Sequence, residues 1–433
     1  MTKLTIKPGQ ALRGTVRVPG DKSISHRAIL LGMLADGTTE VRGWLNAGDT
    51  EATLGAARTL GVEIIRHDAT TLTIHGGTLQ PPPSGQGLNF VNAGTGIRLA
   101  AGIMVGQAFP SVLDGSQQLR RRPMKRITEP LMAMGAQIIS MDGKCPLYIQ
   151  PTTLKGIRYE MPVASAQVKS ALLLAGLFAN SPTTIVEPGP ARDHTERMLS
   201  AMGVDIRTEG AEITITPTRT LKPMNLTVPG DFSSAAFLLV AGCIVPDSDL
   251  TITGVNLNPT RTGMLDALLA MGAQITVTET GTEAGEPVGD IRVQYSTLRG
   301  ITIDGELVVR MIDEFPILMV AALCAEGETL VRDALELRVK ETDRIAVMAA
   351  ELRKLGAIIE EREDGFHIVG KQALMGNIVD GHDDHRVAMS LSIAGLLADE
   401  MTVVTDAKCA GDSFPGFSET LERLGGQVLD QVQ

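Results

Sequence analysis

One phrase occurs six times along the 433 residues: an amphipathic stretch closed by glycine and followed at once by a strand-like piece. The copies are L-G-A-A-R-T-L-G-V-E-I (54–64), P-L-M-A-M-G-A-Q-I (130–138), R-M-L-S-A-M-G-V-D-I (197–206), L-D-A-L-L-A-M-G-A-Q-I (265–275), A-E-L-R-K-L-G-A-I-I (350–359) and L-E-R-L-G-G-Q-V (421–428). Each reads as a helix stopped by a glycine just past its last turn, since glycine alone enters the left-handed region without a steric cost. The glycines are Gly61, Gly135, Gly203, Gly272, Gly356 and Gly425, so a unit of roughly 70 residues repeats along the whole chain.

Ahead of each phrase lies a segment that is apolar on every face: residues 28–35, 98–105, 170–179, 235–245, 316–325 and 387–398. A helix with no polar face must be buried all round, and the many Ala and Gly residues let several such helices approach closely. Between the helices run short alternating pieces such as T-L-T-I-H (71–75), E-I-T-I-T (212–216) and L-T-I-T-G (250–254). Strands alternating with two helices per repeat make an α/β pattern. Six units are too large for one core, so two threefold domains are expected. The phrase V-P-G-D occurs at 18–21 and again at 228–231, which suggests a crossover there. The expected division is 18–226 for repeats one to three, with 1–17 and 227–433 for repeats four to six.

The polar residues that lead into the apolar helices carry the chemistry. In order they are D-K-S-I-S-H-R (21–27), N-A-G-T-G-I-R (92–98), S-A-Q-V-K-S (165–170), D-F-S-S (231–234), D-E-F-P (313–316) and H-D-D-H-R (382–386). Capping accounts for Ser, Thr, Asn and Asp at such places. It does not account for Lys22, Arg27, Arg98, Lys169 and Arg386, cations at the positive end of a helix, where an anion is the favourable neighbour. Three further segments add charge: L-R-R-R-P-M-K-R (119–126), P-A-R-D-H-T-E-R (190–197) and R-V-K-E-T-D-R (338–344), the last read as a helix on which Lys340 and Arg344 share a face. Charged front ends gathered on two domains would face each other across a cleft, and the expected ligand is a small phosphate or carboxylate held there.

Composition narrows the reading. The chain holds 39 basic and 50 acidic residues, a net charge of −11, with 9 Phe, 3 Tyr and 1 Trp, which argues against a nucleic-acid surface. The longest uncharged apolar run, from Ala235 to Val245, falls short of the roughly 18 residues of a membrane span. The opening M-T-K-L-T-I-K-P turns polar too early for a signal peptide, so a cytoplasmic protein is expected, without membrane or nucleic-acid partners. Cys145, Cys243, Cys324 and Cys409 are too scattered for a disulfide framework or a C-x-x-C motif. Adjacent residues of H-D-D-H cannot all face one ion and no second cluster completes them, so no metal is expected. Phosphate-loop, dinucleotide and serine-hydrolase motifs do not occur.

Taken together, the motifs P-G-D-K-S-I-S-H-R-A, N-A-G-T-G-x-R, L-R-x-R-P-M, S-A-Q-V-K-S-A-L-L-L-A, D-F-S-S-A, V-K-E-T-D-R and D-H-R-x-A-M resemble those of the 5-enolpyruvylshikimate-3-phosphate synthases, in the same order and over nearly the full length. The resemblance implies an α/β fold of two domains, each three βαβαββ units with buried parallel helices. It implies transfer of the enolpyruvyl group of phosphoenolpyruvate to shikimate 3-phosphate, with no cofactor, by a monomer. Lys22, Ser23 and Arg27 would hold shikimate 3-phosphate, Lys22 reaching phosphoenolpyruvate as well. Ser165, Ala166 and Gln167 match the segment that binds the shikimate phosphate, with Gln167 between both substrates; Ala166 stands where some members have serine and would offer only its backbone. Asn92, Gly94 and Thr95 would line the phosphoenolpyruvate site, Arg122, Arg344 and Arg386 would clamp it, and Arg192 would add to the shikimate phosphate site. Asp313 and Lys340 would hold ring hydroxyls.

The same resemblance implies Asp313 as the base for the attacking hydroxyl and Glu341 as the acid, with Lys22 its rival or partner. Where some members have a lysine in A-K-T-F-P, this chain reads G-D-S-F-P, with Lys408 a few residues upstream. Two other readings compete: an enolpyruvyl transferase acting on UDP-N-acetylglucosamine, which typically uses a loop cysteine, and a non-catalytic sensor of sugar phosphates, which would not need Asp313 and Glu341 together.

Overall fold

The computed structural model describes residues 2–432. All six apolar segments are helices: Lys22–Gly32, Gly94–Met104, Ala166–Gly176, Phe232–Ile244, Phe315–Cys324 and His385–Gly395. Every residue of Phe232–Ile244 is buried, as expected for a helix without a polar face. Small residues permit the close packing: a Cβ on Gly102 would stand 2.2 Å from the carbonyl oxygen of Ala171, so the Gly94–Met104 and Ala166–Gly176 helices touch backbone to backbone.

The six glycine-closed helices are also present: Gly48–Thr59, Lys125–Ala133, His194–Ala201, Gly263–Ala270, Arg344–Lys354 and Phe417–Arg423. Gly61, Gly135, Gly203, Gly272, Gly356 and Gly425 all have φ between 81° and 103°. After the first of them the N–H of Gly61 bonds to the carbonyl of Arg58 and that of Val62 to Ala57, the paired bonds of a Schellman stop. The other five helices end with the same two bonds, for example Gly203 to Ser200 and Val204 to Leu199.

Each repeat owns one four-stranded sheet with a parallel pair followed by two antiparallel pairs. In the second repeat Leu88–Asn89 runs parallel to Ser111–Asp114 (Leu88 opposite Leu113), which pairs antiparallel with Lys144–Gln150, which pairs with Gln137–Met141 (Ile138 opposite Ile149). Burial alternates along Leu72–His75, Ser111–Asp114, Thr183–Val186 and Thr402–Thr405, so one face of each strand meets the helices. Three sheets borrow a strand from a distant part of the chain. Leu226–Thr227 completes the sheet of the first repeat beside Thr38–Arg42, and Arg13–Val16 completes that of the fourth beside Asp249–Asn256. Thr2–Lys7 fills the third place in the sheet of the sixth, between Thr402–Thr405 and Gln427–Val432.

The chain forms two compact units. One comprises Gly20–Val228 with Thr282–Glu286; the other comprises Met1–Pro19, Pro229–Gly281 and Pro287–Gln433. The chain passes between them inside the two V-P-G-D phrases, and each phrase supplies the helix cap that follows it. Asp21 accepts from the N–H of Ile24 and Asp231 from that of Ser233. Each unit has its own core, the first around Trp44 and Phe90, the second around Phe232, Phe237 and Phe315. Thr282–Glu286, the turn of a long hairpin, groups with the first unit, where Glu286 pairs with His194 at 2.7 Å, both wholly buried.

Two glycines of one helix test this account. Gly55 is exposed in mid-helix with open space at its Cβ position, so Gly55→Ala should stabilise by about 0.5–1 kcal/mol. Gly61 has φ +81° and a Cβ there would lie 2.9 Å from the Gln80 side chain, so Gly61→Ala should destabilise by about 1–2 kcal/mol. Urea unfolding midpoints of the two variants should move in opposite directions.

Candidate active site

In the first unit the lead-in segments meet through side chains. Lys22 opens its helix beside Asp49, an acidic residue in the first turn of Gly48–Thr59, with 2.6 Å between Nζ and Oδ2. One turn on, Arg27 is buried and held by Thr195 Oγ1 at 2.7 Å, Ser170 Oγ at 2.8 Å and the Ser23 carbonyl at 3.0 Å. Burial pushes its pKa down to about 10; Glu196, Asp21 and Glu286 act against burial, while Arg192 adds to the lowering and so belongs to the same neighbourhood. Ser165 caps Ala166–Gly176 by accepting from Val168 N–H, which leaves Ala166 and Gln167 in the first turn. Asn92 receives a hydrogen bond from Ser116. Gly94 begins its helix against Arg122: a Cβ on it would lie 2.7 Å from a guanidinium nitrogen.

Two cations that sequence reasoning gave to an incoming anion have partners within the protein, carboxylates for Lys169 and neutral acceptors for Arg98. Lys169 is buried, its Nζ 2.6 Å from both Glu187 and Glu196 and 3.1 Å from the Ala191 carbonyl. Burial works against its charge, but the two carboxylates outweigh it and hold the pKa above the ordinary lysine value. Arg98 donates to Gln167 Oε1 at 2.8 Å and to the Pro123 carbonyl at 3.2 Å. A partner far along the chain leaves no mark near a residue in the sequence, so the carboxylates that Lys169 meets could not be foreseen.

In the second unit Asp313 is the hub. Its carboxylate lies 3.5 Å from Arg344, 3.6 Å from Arg386 and 3.9 Å from Lys340, and its carbonyl accepts from Arg386 at 3.1 Å. Arg344 is buried and also bonds Asp384 at 2.9 Å and Glu341 at 2.7 Å. Burial disfavours its charge, yet Asp384, Glu341 and Asp313 raise its pKa above the ordinary arginine value. Burial lowers the pKa of Lys340, against the pull of Asp313. Lys340 and Arg344 do not share a helix face: Leu335–Val339 is a short 3-10 turn, and a new helix starts at Arg344 with Asp343 as its cap. The segment bends so that Lys340 and Arg344 both approach Asp313 while Glu341 pairs with Arg344.

The H-D-D-H residues part company. His382 Nε2 meets Glu351 at 2.8 Å, while Asp384 serves Arg344 and caps its own helix. Among the described residues no group of three His, Cys, Asp or Glu is arranged to hold a metal ion. Lys408 is exposed. Burial pushes the Cys145 thiol up to about 11 and those of Cys243 and Cys324 up to about 12, away from a reactive thiolate. Asp49, Glu314 and Asp384 join the charged clusters without having been singled out as site residues. For Glu314 and Asp384 the D-E-F-P and H-D-D-H-R motifs held a usable signal; for Asp49 none existed.

Known proteins resemble the chain throughout. The family model described as EPSP synthase (3-phosphoshikimate 1-carboxyvinyltransferase) matches residues 6–421. A 3-phosphoshikimate 1-carboxyvinyltransferase of Acidithiobacillus ferrooxidans is 50% identical over 426 residues, 98% of each chain. One of Halorhodospira halophila is 51% identical over 425 residues, 97% of this chain and 95% of its own. A solved EPSP synthase of Acinetobacter baumannii superposes with a TM-score of 0.90 at 44% identity, both chains covered in full.

His26 offers a test of the electrostatics of the first unit. It is fully buried on the helix of Lys22 and Arg27, with Nδ1 2.8 Å from Thr53 Oγ1, and burial pushes its pKa from 6.5 down to about 3. Between those values the unfolded chain binds a proton that the folded chain refuses, so stability falls as pH drops through that window, by about 1.4 kcal/mol per pH unit. His26→Gln removes this contribution. Denaturation midpoints measured from pH 7 to pH 4 should fall less steeply in the variant, and equal slopes would refute the assignment.

Proposed function

The chain belongs to the EPSP synthase family, and on that premise we propose how its residues divide the work of a 3-phosphoshikimate 1-carboxyvinyltransferase. The enzyme transfers the enolpyruvyl group of phosphoenolpyruvate to the 5-hydroxyl of shikimate 3-phosphate and releases phosphate, in the shikimate route to aromatic amino acids. The observation that carries the division is the Asp313 hub, a carboxylate gripped by Lys340, Arg344 and Arg386 at 3.5–3.9 Å.

Phosphoenolpyruvate is an electron-rich enol ether of phosphate. Protonation of its methylene carbon makes the adjoining carbon electrophilic, and a ring hydroxyl relieved of its proton can attack it; one acid and one base are needed. Asp313 is the base, its carboxylate oriented by three cations and able to accept the hydroxyl proton. Glu341, at the rim of the same cluster, is the acid, and Lys22 shares or supplements that role. Arg344, Arg386 and Arg122 clamp phosphoenolpyruvate. Fixed cations near a departing phosphate stabilise the charge as it develops and need not reorganise. Loss of phosphate from the tetrahedral adduct, with a proton from the new methyl group, regenerates the enol ether.

Shikimate 3-phosphate is held by Lys22, Ser23, Arg27, Ser165, Ala166, Gln167 and Arg192 of the first unit, with Asp313 and Lys340 on its hydroxyls. Asn92, Gly94 and Thr95 border phosphoenolpyruvate, and Gly94 lets the substrate approach Arg122. We place the enzyme in the cytoplasm as a monomer. The raised thiol pKa values give no support to a route through a reactive cysteine on a UDP-sugar.

Phosphate release from phosphoenolpyruvate should require shikimate 3-phosphate and be absent with UDP-N-acetylglucosamine. Asp313→Asn should lower kcat by about 10²–10⁴-fold, with a much smaller change in KM. Undiminished turnover would remove Asp313 as the base.

A further inference from the structure

The function above leaves Arg98, a buried cation of the first unit, unused. Arg98 sits one turn into Gly94–Met104, 2% exposed, with one terminal guanidinium nitrogen on Gln167 Oε1 at 2.8 Å and the other on the Pro123 carbonyl at 3.2 Å. Gln167 in turn donates from Nε2 to Thr95 Oγ1 at 3.1 Å. Pro123 follows Arg122, and Arg98 also lies 3.3 Å from the Cβ position of Gly94. One side chain thus links three segments: the turn with Gly94 and Thr95, the loop with Arg122, and the helix front with Gln167.

The chemistry of these groups fixes a direction. An amide side chain has an acceptor pole and a donor pole of nearly equal size, and either can be turned toward a ligand. A guanidinium carries only donors, so it can face the amide through Oε1 alone. With Oε1 turned to Arg98 and one N–H given to Thr95, Gln167 has its second N–H left to offer away from Arg98, its remaining lone pair lying on the oxygen that Arg98 holds. We propose that Arg98 is a positioning residue that locks the Gln167 amide with its N–H pole toward the substrates, so that Gln167 recognises an acceptor oxygen of a phosphate or carboxylate. This rests on the reading of Gln167 as a substrate ligand. Without Arg98 the amide is free to present its oxygen, which an anionic ligand repels.

The test is a double-mutant cycle with KM for each substrate as the readout, in Arg98→Met, Gln167→Met and the double variant, with Gln167→Glu added. Gln167→Met should raise KM for at least one substrate about tenfold, the loss of one hydrogen bond to a charged group. Arg98→Met should raise the same KM more than it lowers kcat. In the double variant, adding Gln167→Met to Arg98→Met should cost less than twofold further, because the lock and the group it holds act as one. Gln167→Glu, which swaps the N–H pole for an oxygen, should be worse than Gln167→Met. Where far-UV circular dichroism shows that Arg98→Met does not fold, Arg98→Lys takes its place, since one ammonium cannot span both acceptors. Effects that multiply, or a Gln167→Glu no worse than Gln167→Met, would overturn the proposal while Gln167 stays a ligand. If Gln167→Met leaves both KM values unchanged, the reading of Gln167 itself fails and the lock falls with it.

Discussion

A helix buried along its whole length has only its ends with which to meet water or a ligand. Six such helices form the cores of this chain, and each carries its polar residues at the front, where unpaired N–H groups and the helix dipole favour negative charge. Lysine and arginine in that position are unfavourable until an anion joins them. Most of the chemistry follows from how this demand is met. Some fronts are capped by an acidic residue, as with Asp21, Asp231 and Asp384, and some cations are paired with buried carboxylates.

The two units meet the demand differently. In the first, hydroxyls and amides carry much of it: Arg27 is held by Thr195 and Ser170, and Arg98 by Gln167 and a backbone carbonyl. Neutral partners orient a cation without cancelling its field, which suits a site for phosphate. In the second, Asp313, Glu341 and Asp384 stand among Lys340, Arg344 and Arg386. Carboxylates beside cations suit proton transfer, because an acid and a base are present together with the charge that stabilises what they produce.

Much of this was legible beforehand. The glycine stops and apolar helices appear where periodicity placed them, because both signals are local: a left-handed residue ends a helix wherever it stands, and a stretch with no polar face has to be buried. The V-P-G-D phrases marked the crossings for the same reason. The helical reading of 338–344 failed because the helix begins only at Arg344, where Asp343 caps it and pulls the preceding residues into a turn. The partners of Lys169 and Arg98 were not legible because they lie elsewhere along the chain, Glu187 and Glu196 for one, Gln167 and Pro123 for the other.

The amino-acid order alone determined the repeat, the helix ends, the apolar bodies that must be buried, and the family to which the motifs belong, since each depends on neighbours within a turn or two. The tertiary structure alone decided which charges are spent inside the protein and which remain for chemistry. Coulomb attraction and hydrogen bonding act over a few ångströms of space and take no account of separation along the chain. Arg344 and Asp384 are 40 residues apart in sequence and 2.9 Å apart when folded, a pairing that only packing could create.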